Sequence, residues 1–310
     1  MLSILFPGQG SQFLGMASDL ATEHAIVKST LEEASDALGS DLVKLINDGP
    51  ESDLNRTDLT QPSILAVSVA AWRLIQSTTD VNADYMAGHS LGEYSALVCS
   101  GALGFADAVK LVNLRGKLML DAVPEGVGGM AAILGLEDDK IAEACEEAAA
   151  GEVVSPVNYN SPGQVVVAGH KAAVERASEI CLEKGAKKAI PLAVSVPSHC
   201  SLMQPAAEKL AEILADTQIS SPTVSVVNNV DVAIETRPES IKDALVRQLY
   251  SPVRWSETVQ WFEANGVTEY IECGPGKVLA GLNKRINRRA PVHLTTDLAS
   301  YDKLLEKISA

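Results

Sequence analysis

The sequence predicts an α/β protein with a largely parallel sheet and a second, smaller unit set into it. Short apolar runs alternate with long segments of helical periodicity, the pattern of a parallel sheet with crossover helices. A Gly/Pro-rich joint, Val123-Pro124-Glu125-Gly126-Val127-Gly128-Gly129, interrupts that alternation and opens a stretch of different order. The chain has 310 residues, 46% hydrophobic and 21% charged, which is enough for a sizeable core and excludes a mainly disordered segment.

The first strand is expected at Ser3–Phe6, closed by the turn Pro7-Gly8-Gln9-Gly10. Helical periodicity covers Ala25–Leu38 and Gln61–Thr78, the latter offering Ile64, Leu65, Val67, Val69, Trp72 and Ile75 to the core. A strand at Tyr85–Ala87 runs into Gly88-His89-Ser90-Leu91-Gly92, and helices at Glu93–Cys99 and Phe105–Ala122 follow. Past the joint come a strand (Met130–Leu134), a helix (Asp138–Ala149), and strands Val153–Tyr159 and Gln164–Ala168 around the turn Asn160-Ser161-Pro162-Gly163. A helix (Lys171–Lys184) and a strand (Lys188–Leu192) complete it. That order, βαββαβ over about 65–70 residues, is the ferredoxin-like plan. The boundaries expected are 125–196 for this inserted unit, with 1–124 and 197–310 forming the larger one. After Val196-Pro197 the larger unit resumes with a helix from Gln204 and a strand at Val224–Val227. Helices at Glu239–Leu249 and Glu257–Asn265 and a strand at Glu269–Glu272 come next. The turn Cys273-Gly274-Pro275-Gly276 then leads to a basic helix ending near Arg289.

Forty acidic residues against 25 basic ones leave a formal charge of −15, which disfavours nucleic acid and anionic membranes as partners. The apolar run Ile64–Trp72 is about half a bilayer span, and the start Met1–Pro7 lacks the basic flank of a signal peptide. Cys99, Cys145, Cys181, Cys200 and Cys273 are odd in number and without C-x-x-C spacing, so reduced thiols in a cytoplasmic protein are expected. His89 and Glu93 are four apart without the second histidine of a zinc motif, so neither metal nor cofactor is expected.

Gly88-His89-Ser90-Leu91-Gly92 is a G-x-S-x-G between a strand and a helix. In that setting the serine sits on a sharp turn with its hydroxyl exposed above the sheet, a nucleophile elbow of α/β-hydrolase-like kind. The glycines remove Cβ atoms that would collide, and the next N–H groups begin a helix and so favour an anion. A serine hydroxyl needs a base, and the chain holds five histidines: His24, His89, His170, His199 and His293. His24, His170 and His293 fall at helix ends or turns, where a surface role suffices.

With the early Gly8-Gln9-Gly10-Ser11-Gln12, Gly88–Tyr94, Arg115 and Ser198-His199 in order, the chain resembles the malonyl-CoA:acyl carrier protein transacylases of bacterial fatty acid synthesis. The resemblance runs from the first strand to the basic helix. It implies Ser90 as nucleophile, His199 as general base, and the backbone carbonyl of Gln248 orienting that base in place of an acid. It makes the N–H groups of Gln9 and Leu91 an oxyanion hole, where each donor is worth ~2.7–4 kcal/mol. It also sets Arg115 against the free carboxylate of malonate, against the ordinary reading of an ion-paired or snorkelling arginine. His89, Met119 and Asn160 are candidates for lining the acyl pocket, with core packing an equal alternative. In related polyketide acyltransferases a serine before the histidine accompanies methylmalonyl, so Ser198 leaves an α-methyl group tolerable, while Leu91 favours malonyl. Cys200 is read as structural.

The resemblance implies malonyl-CoA and holo acyl carrier protein as substrates, and a monomer is expected. The carrier is acidic like this chain, so docking needs a local basic patch. Lys277, Lys284, Arg285, Arg288 and Arg289 on the late helix are candidates, with Lys187-Lys188 as a smaller one; a solvated helix face is the plainer reading. A serine thioesterase, accepting water, and a non-catalytic carrier-binding module are the rival readings.

Overall fold

The structure is a computed structural model and describes residues 1–194 and 196–308. In chain order it begins with β1 (Leu2–Phe6), helices α1 (Ser18–Glu23), α2 (Ala25–Leu38), α3 (Leu42–Asp48), α4 (Glu51–Leu54) and α5 (Thr57–Thr78), then β2 (Tyr85–Gly88). Helices α6 (Gly92–Cys99) and α7 (Phe105–Ala122) lead to β3 (Gly128–Leu134), α8 (Asp138–Ala149), β4 (Val154–Ser161) and β5 (Gln164–His170). Next are α9 (Lys171–Glu183), β6 (Lys188–Pro191), α10 (Gln204–Asp216), β7 (Ser225–Val227) and α11 (Pro238–Gln248). The chain closes with α12 (Trp255–Ala264), β8 (Glu269–Glu272), α13 (Val278–Ile286), β9 (Val292–Leu294) and α14 (Leu298–Ile308).

Two sheets organise these elements, giving the α/β fold that the alternation predicts. One has the order β7-β2-β1-β8-β9 and every pairing in it is parallel. Its central strand is buried on both faces, as a parallel strand between helix layers must be. Ile4 and Phe6 join the core formed with α2, α5 and α7, while Leu5 joins Trp255, Phe262 and Leu279 on the opposite side. The other sheet, β4-β5-β3-β6, is antiparallel throughout. Val165 and Val167 turn toward α8 and α9, while Val166, Ala168 and Met130 turn the other way, toward Cys200. Segment 157–159 hydrogen-bonds to Val253 from both sides (Tyr159 N to Val253 O and Val253 N to Val157 O, each 2.9 Å), so the small sheet is fixed beside the large one.

Several boundaries differ from the sequence reading. Helix α5 starts at Thr57 and carries Pro62 inside it. A proline there leaves the carbonyl four residues back without its donor. Asn113 of α7 supplies it, with Nδ2 donating to Asp58 O at 2.7 Å. Gly116 makes that approach possible, since a Cβ on it would stand 2.5 Å from Asp58 Cα. Strand β4 runs on to Ser161, so Asn160 lies in the strand and the reversal narrows to Pro162-Gly163. Helix α13 ends at Ile286, because Asn287 turns the chain with its Oδ1 accepting the N–H groups of Arg289 and Ala290; Arg288 and Arg289 therefore lie beyond the helix. His293 sits in β9, paired with Glu269, and not in a turn. The short helices α1, α3 and α4, strand β9 and helix α14 have no counterpart in the reading.

Candidate active site

The loop Gly88–Gly92 joins β2 to α6 at the end of the central parallel strands. Ser90 has φ 52, in the left-handed region that a residue with a Cβ occupies only under constraint. The constraint is close packing: a Cβ on Gly88 would lie 1.8 Å from the Gly92 carbonyl carbon, and one on Gly92 2.1 Å from Phe6 O. The loop after β1 presses in from the other side, where a Cβ on Gly8 would meet His89 O at 2.3 Å. Asn229, just past β7, closes the back. Its Oδ1 accepts Ser90 N–H at 2.7 Å and its Nδ2 donates to Gly88 O at 2.6 Å.

Ser90 Oγ lies 2.8 Å from Nε2 of His199, a residue 109 positions away. The other ring nitrogen, Nδ1, is 2.7 Å from Gln248 O. A carbonyl only accepts, so the proton sits on Nδ1 and Nε2 is the free acceptor for the serine hydroxyl. Burial, and next the positive charge of Arg115, press the His199 pKa down to about 3, and its bond to the Gln248 carbonyl only partly opposes this. The imidazole is therefore neutral at physiological pH. His199 also has a positive φ, 66, held by its N–H to Leu249 O at 2.9 Å.

Arg115 is 1% exposed, deep on α7. Nη1 donates to Gln61 Oε1 at 2.7 Å, and Nη2 donates to Gln248 Oε1 at 3.0 Å and approaches Ser90 Oγ at 3.4 Å. Its guanidinium carbon lies 5.4 Å from the Tyr94 ring centroid, and Nε has no partner among the described residues. Those partners are neutral, so the buried cation keeps unspent capacity for an anion. Glu93 stands behind, 3% exposed, with Oε2 accepting Asn229 N–H and Gln248 Nε2–H at 2.9 Å each. Burial raises its carboxyl to about 7, while those two donors and Arg115 pull the other way.

Ser90, His199 and Arg115 open into a cleft of about 280 Å³ that runs between the large sheet's loops and the inner face of the small sheet. Gln9, Leu91, His89, Met119 and Asn160 line it too. Among the described residues the backbone N–H groups of Gln9 and Leu91 have no acceptor, and both residues line the cleft. His89 Nε2 meets Asn160 Oδ1 at 2.8 Å, linking the elbow to β4, and burial lowers the pKa of His89. Met119 is buried, its sulfur 3.5 Å from Gln61 Nε2. Cys200 is buried with its thiol donating to Pro197 O at 3.1 Å and its pKa pushed up to about 11, in keeping with a structural role. Lys277, Lys284, Arg285, Arg288 and Arg289 are exposed and stand apart from the three. Arg285 reaches across to Gln164 of β5. The sequence reading gives Asn229, Gln61, Glu93 and the side chain of Gln248 no place in the site: it weighs Glu93 only as a metal ligand and Gln61 only as the start of a helix. The pair Asn228-Asn229 directly after a sheet strand was the available signal for Asn229.

No group of three or more metal-ligating side chains occurs among the described residues, and no helix of the described residues is long and apolar enough to cross a membrane. The five cysteines are unpaired. Residues 4–296 match the model of the acyl transferase domain. The malonyl CoA-acyl carrier protein transacylase of Haemophilus influenzae is 58% identical over 305 residues, covering 98% of each chain. An acyl carrier protein S-malonyltransferase structure from Vibrio cholerae superposes with TM-score 0.96 at 59% identity, over 98% of this chain and 99% of that one. A malonyl-transacylase solved in complex with its type II PKS acyl-carrier protein gives 0.97 at 56%, over 99% of both. A serine on a strained strand-to-helix turn, a neutral histidine against it and an identity this high over nearly the whole length agree, and the chain belongs to the malonyl CoA-acyl carrier protein transacylase family of acyl transferases.

Proposed function

We propose that the protein moves a malonyl group from malonyl-CoA to the phosphopantetheine thiol of holo acyl carrier protein, in supply of fatty acid synthesis, by double displacement. Ser90 Oγ attacks the thioester carbonyl while His199 Nε2 takes its proton. The N–H groups of Gln9 and Leu91 hold the oxyanion. The carbon–sulfur bond then breaks and coenzyme A leaves as its thiol with the proton from His199. In the second half the carrier's thiol gives its proton to His199 and attacks the malonyl-Ser90 ester, and Ser90 recovers its hydrogen. Gln248 O keeps the imidazole in the required tautomer throughout. One thioester replaces another, so the exchange is close to thermoneutral and reversible.

Arg115 receives the donor's free carboxylate in a forked pair. A neutral acyl group leaves that cation buried and unanswered, which is the source of selectivity. His89, Met119 and Asn160 bound the acyl pocket. The observation that carries the reading is the 2.8 Å contact of Ser90 Oγ with a neutral His199 beside a buried guanidinium whose partners are all uncharged.

The larger unit is read as hydrolase-like, formed by 1–124 and 197–310, and 125–196 as a ferredoxin-like insertion whose inner face keeps water from the acyl-enzyme. The protein works as a cytoplasmic monomer without nucleic acid or membrane. The carrier docks on Lys277, Lys284, Arg285, Arg288 and Arg289. The test is incubation with malonyl-CoA, with and without holo carrier, following free malonate. Malonyl carrier with little malonate is expected; malonate released as fast without carrier would make the protein a thioesterase.

A further inference from the structure

Glu93 takes no part in the steps above, yet two groups that shape the site meet on its Oε2: the N–H of Asn229 and the Nε2–H of Gln248. Each then reaches the reacting centre. Asn229 holds Ser90 N–H and Gly88 O. Gln248 donates from Nε2 to Ser90 O at 3.1 Å as well, and presents Oε1 to Arg115 Nη2 at 3.0 Å. A glutamine amide has a donor end and an acceptor end that exchange on a half turn. Against Oε2, an acceptor that Asn229 N–H already engages, only the nitrogen end is tolerated. The oxygen end is thereby committed to Arg115; reversed, it would set amide N–H against guanidinium N–H and carbonyl against carboxylate. Forked recognition of a carboxylate depends on the direction of the guanidinium plane, and Gln248 and Gln61 are the side-chain oxygens that set it beside Ser90.

We propose that Glu93 is a positioning residue for donor selectivity: by fixing which end of the Gln248 amide faces Arg115, it holds the guanidinium in the orientation that receives the donor's free carboxylate. This rests on the malonyl reading given above. Glu93 touches neither donor nor Ser90 Oγ, and its effect is confined to donors that use Arg115.

The experiment is single-turnover acylation of Ser90 by malonyl-CoA and, separately, acetyl-CoA, for the wild type, Glu93→Met and Glu93→Gln. Methionine keeps the side chain's length and removes the acceptor; glutamine restores a neutral acceptor oxygen. Glu93→Met should lower the malonyl-to-acetyl ratio by roughly ten- to a hundredfold, the cost of leaving a buried amide donor without its acceptor, and Glu93→Gln should recover most of it. A purely structural role would lower both donors by the same factor, and that result overturns the proposal, as does a glutamine variant no better than methionine. Should Glu93→Met not fold, Glu93→Asp, which draws the acceptor back by one methylene, reads the same ratio, and an unchanged ratio there overturns it too. A wild type with no preference for malonyl overturns both this and the malonyl reading, and is told apart because it appears before any variant is made.

Discussion

At the scale of single residues, the charge state of His199 decides what the site can do. Burial and Arg115 hold its pKa near about 3, against 6.5 for a free imidazole. The folded protein therefore resists protonating it, and the base remains available as pH falls through the ordinary histidine range. With acetyl-CoA as donor, which makes no use of Arg115, the single-turnover acylation rate should stay level from about pH 8 to 5. A rate that halves near pH 6.5 contradicts it. Arg115→Ala should cost malonyl acylation about a hundredfold or more, since a buried charge pair is lost, and acetyl acylation far less; equal losses in a kcat/KM comparison would remove its role. Ser90, His199 and Arg115 were the most legible. Ser90 announced itself through two flanking glycines, and His199 and Arg115 through the family resemblance. Glu93, Asn229 and Gln61 were not legible, because what they do is bond to other side chains and no local spacing encodes that.

Elements show the same division. Strands β1 and β2 were plain in sequence because a buried parallel strand is a short apolar run closed by glycine. The start of α5 was misplaced by four residues because Pro62 reads as a helix opening, whereas Asn113 on another helix satisfies the carbonyl it frees. Strand β9 is three residues long and α14 follows it closely, and the sequence reading assigns no element after Arg289, although Leu298, Tyr301, Leu304 and Leu305 recur at helical spacing. The elbow itself allows no Cβ: Gly88→Ala should destabilise the fold by more than the ~1–3 kcal/mol of ordinary overpacking, seen as a lowered thermal midpoint, and a midpoint near wild type would mean the crossing is looser than described. Glu272 sets the start of α13, which forms one side of the cleft. Its carboxyl, buried, accepts Leu279 N–H at 3.0 Å and Ala280 N–H at 2.8 Å, and burial raises it to about 7. The native state thus keeps this proton where the unfolded chain, with a value near 4.5, has lost it. Stability from this group is fullest below pH 4.5 and falls as pH rises to about 7. Glu272→Gln lacks that fall, so the stability of the variant relative to wild type should improve by on the order of 1 kcal/mol per pH unit across the window and level off above it. A difference independent of pH in urea titrations contradicts it.

Across the whole molecule, a chain of net charge −15 carries exposed basic residues on and just after α13, the helix whose Val278, Leu279 and Leu282 line the cleft. The two sheets were legible as two patterns of strand order, but nothing in either pattern said that they would face each other across the reacting serine. Long-range pairings such as Tyr159 with Val253 and His89 with Asn160 bring that about. If these basic residues meet an acidic carrier, Lys284→Glu with Arg288→Glu should raise the carrier KM severalfold, and added salt should weaken the wild type's affinity; an unchanged KM at low salt rejects it. The account as a whole turns on the convergence of residues 90, 115 and 199 on one short diacid. Peptide mass spectrometry after brief mixing with malonyl-CoA tests that most directly. A malonyl group on the peptide containing Ser90, absent in Ser90→Ala and discharged on adding holo carrier protein, is the predicted result. An unmodified Ser90 peptide, or a malonyl group that the carrier does not remove, would contradict it.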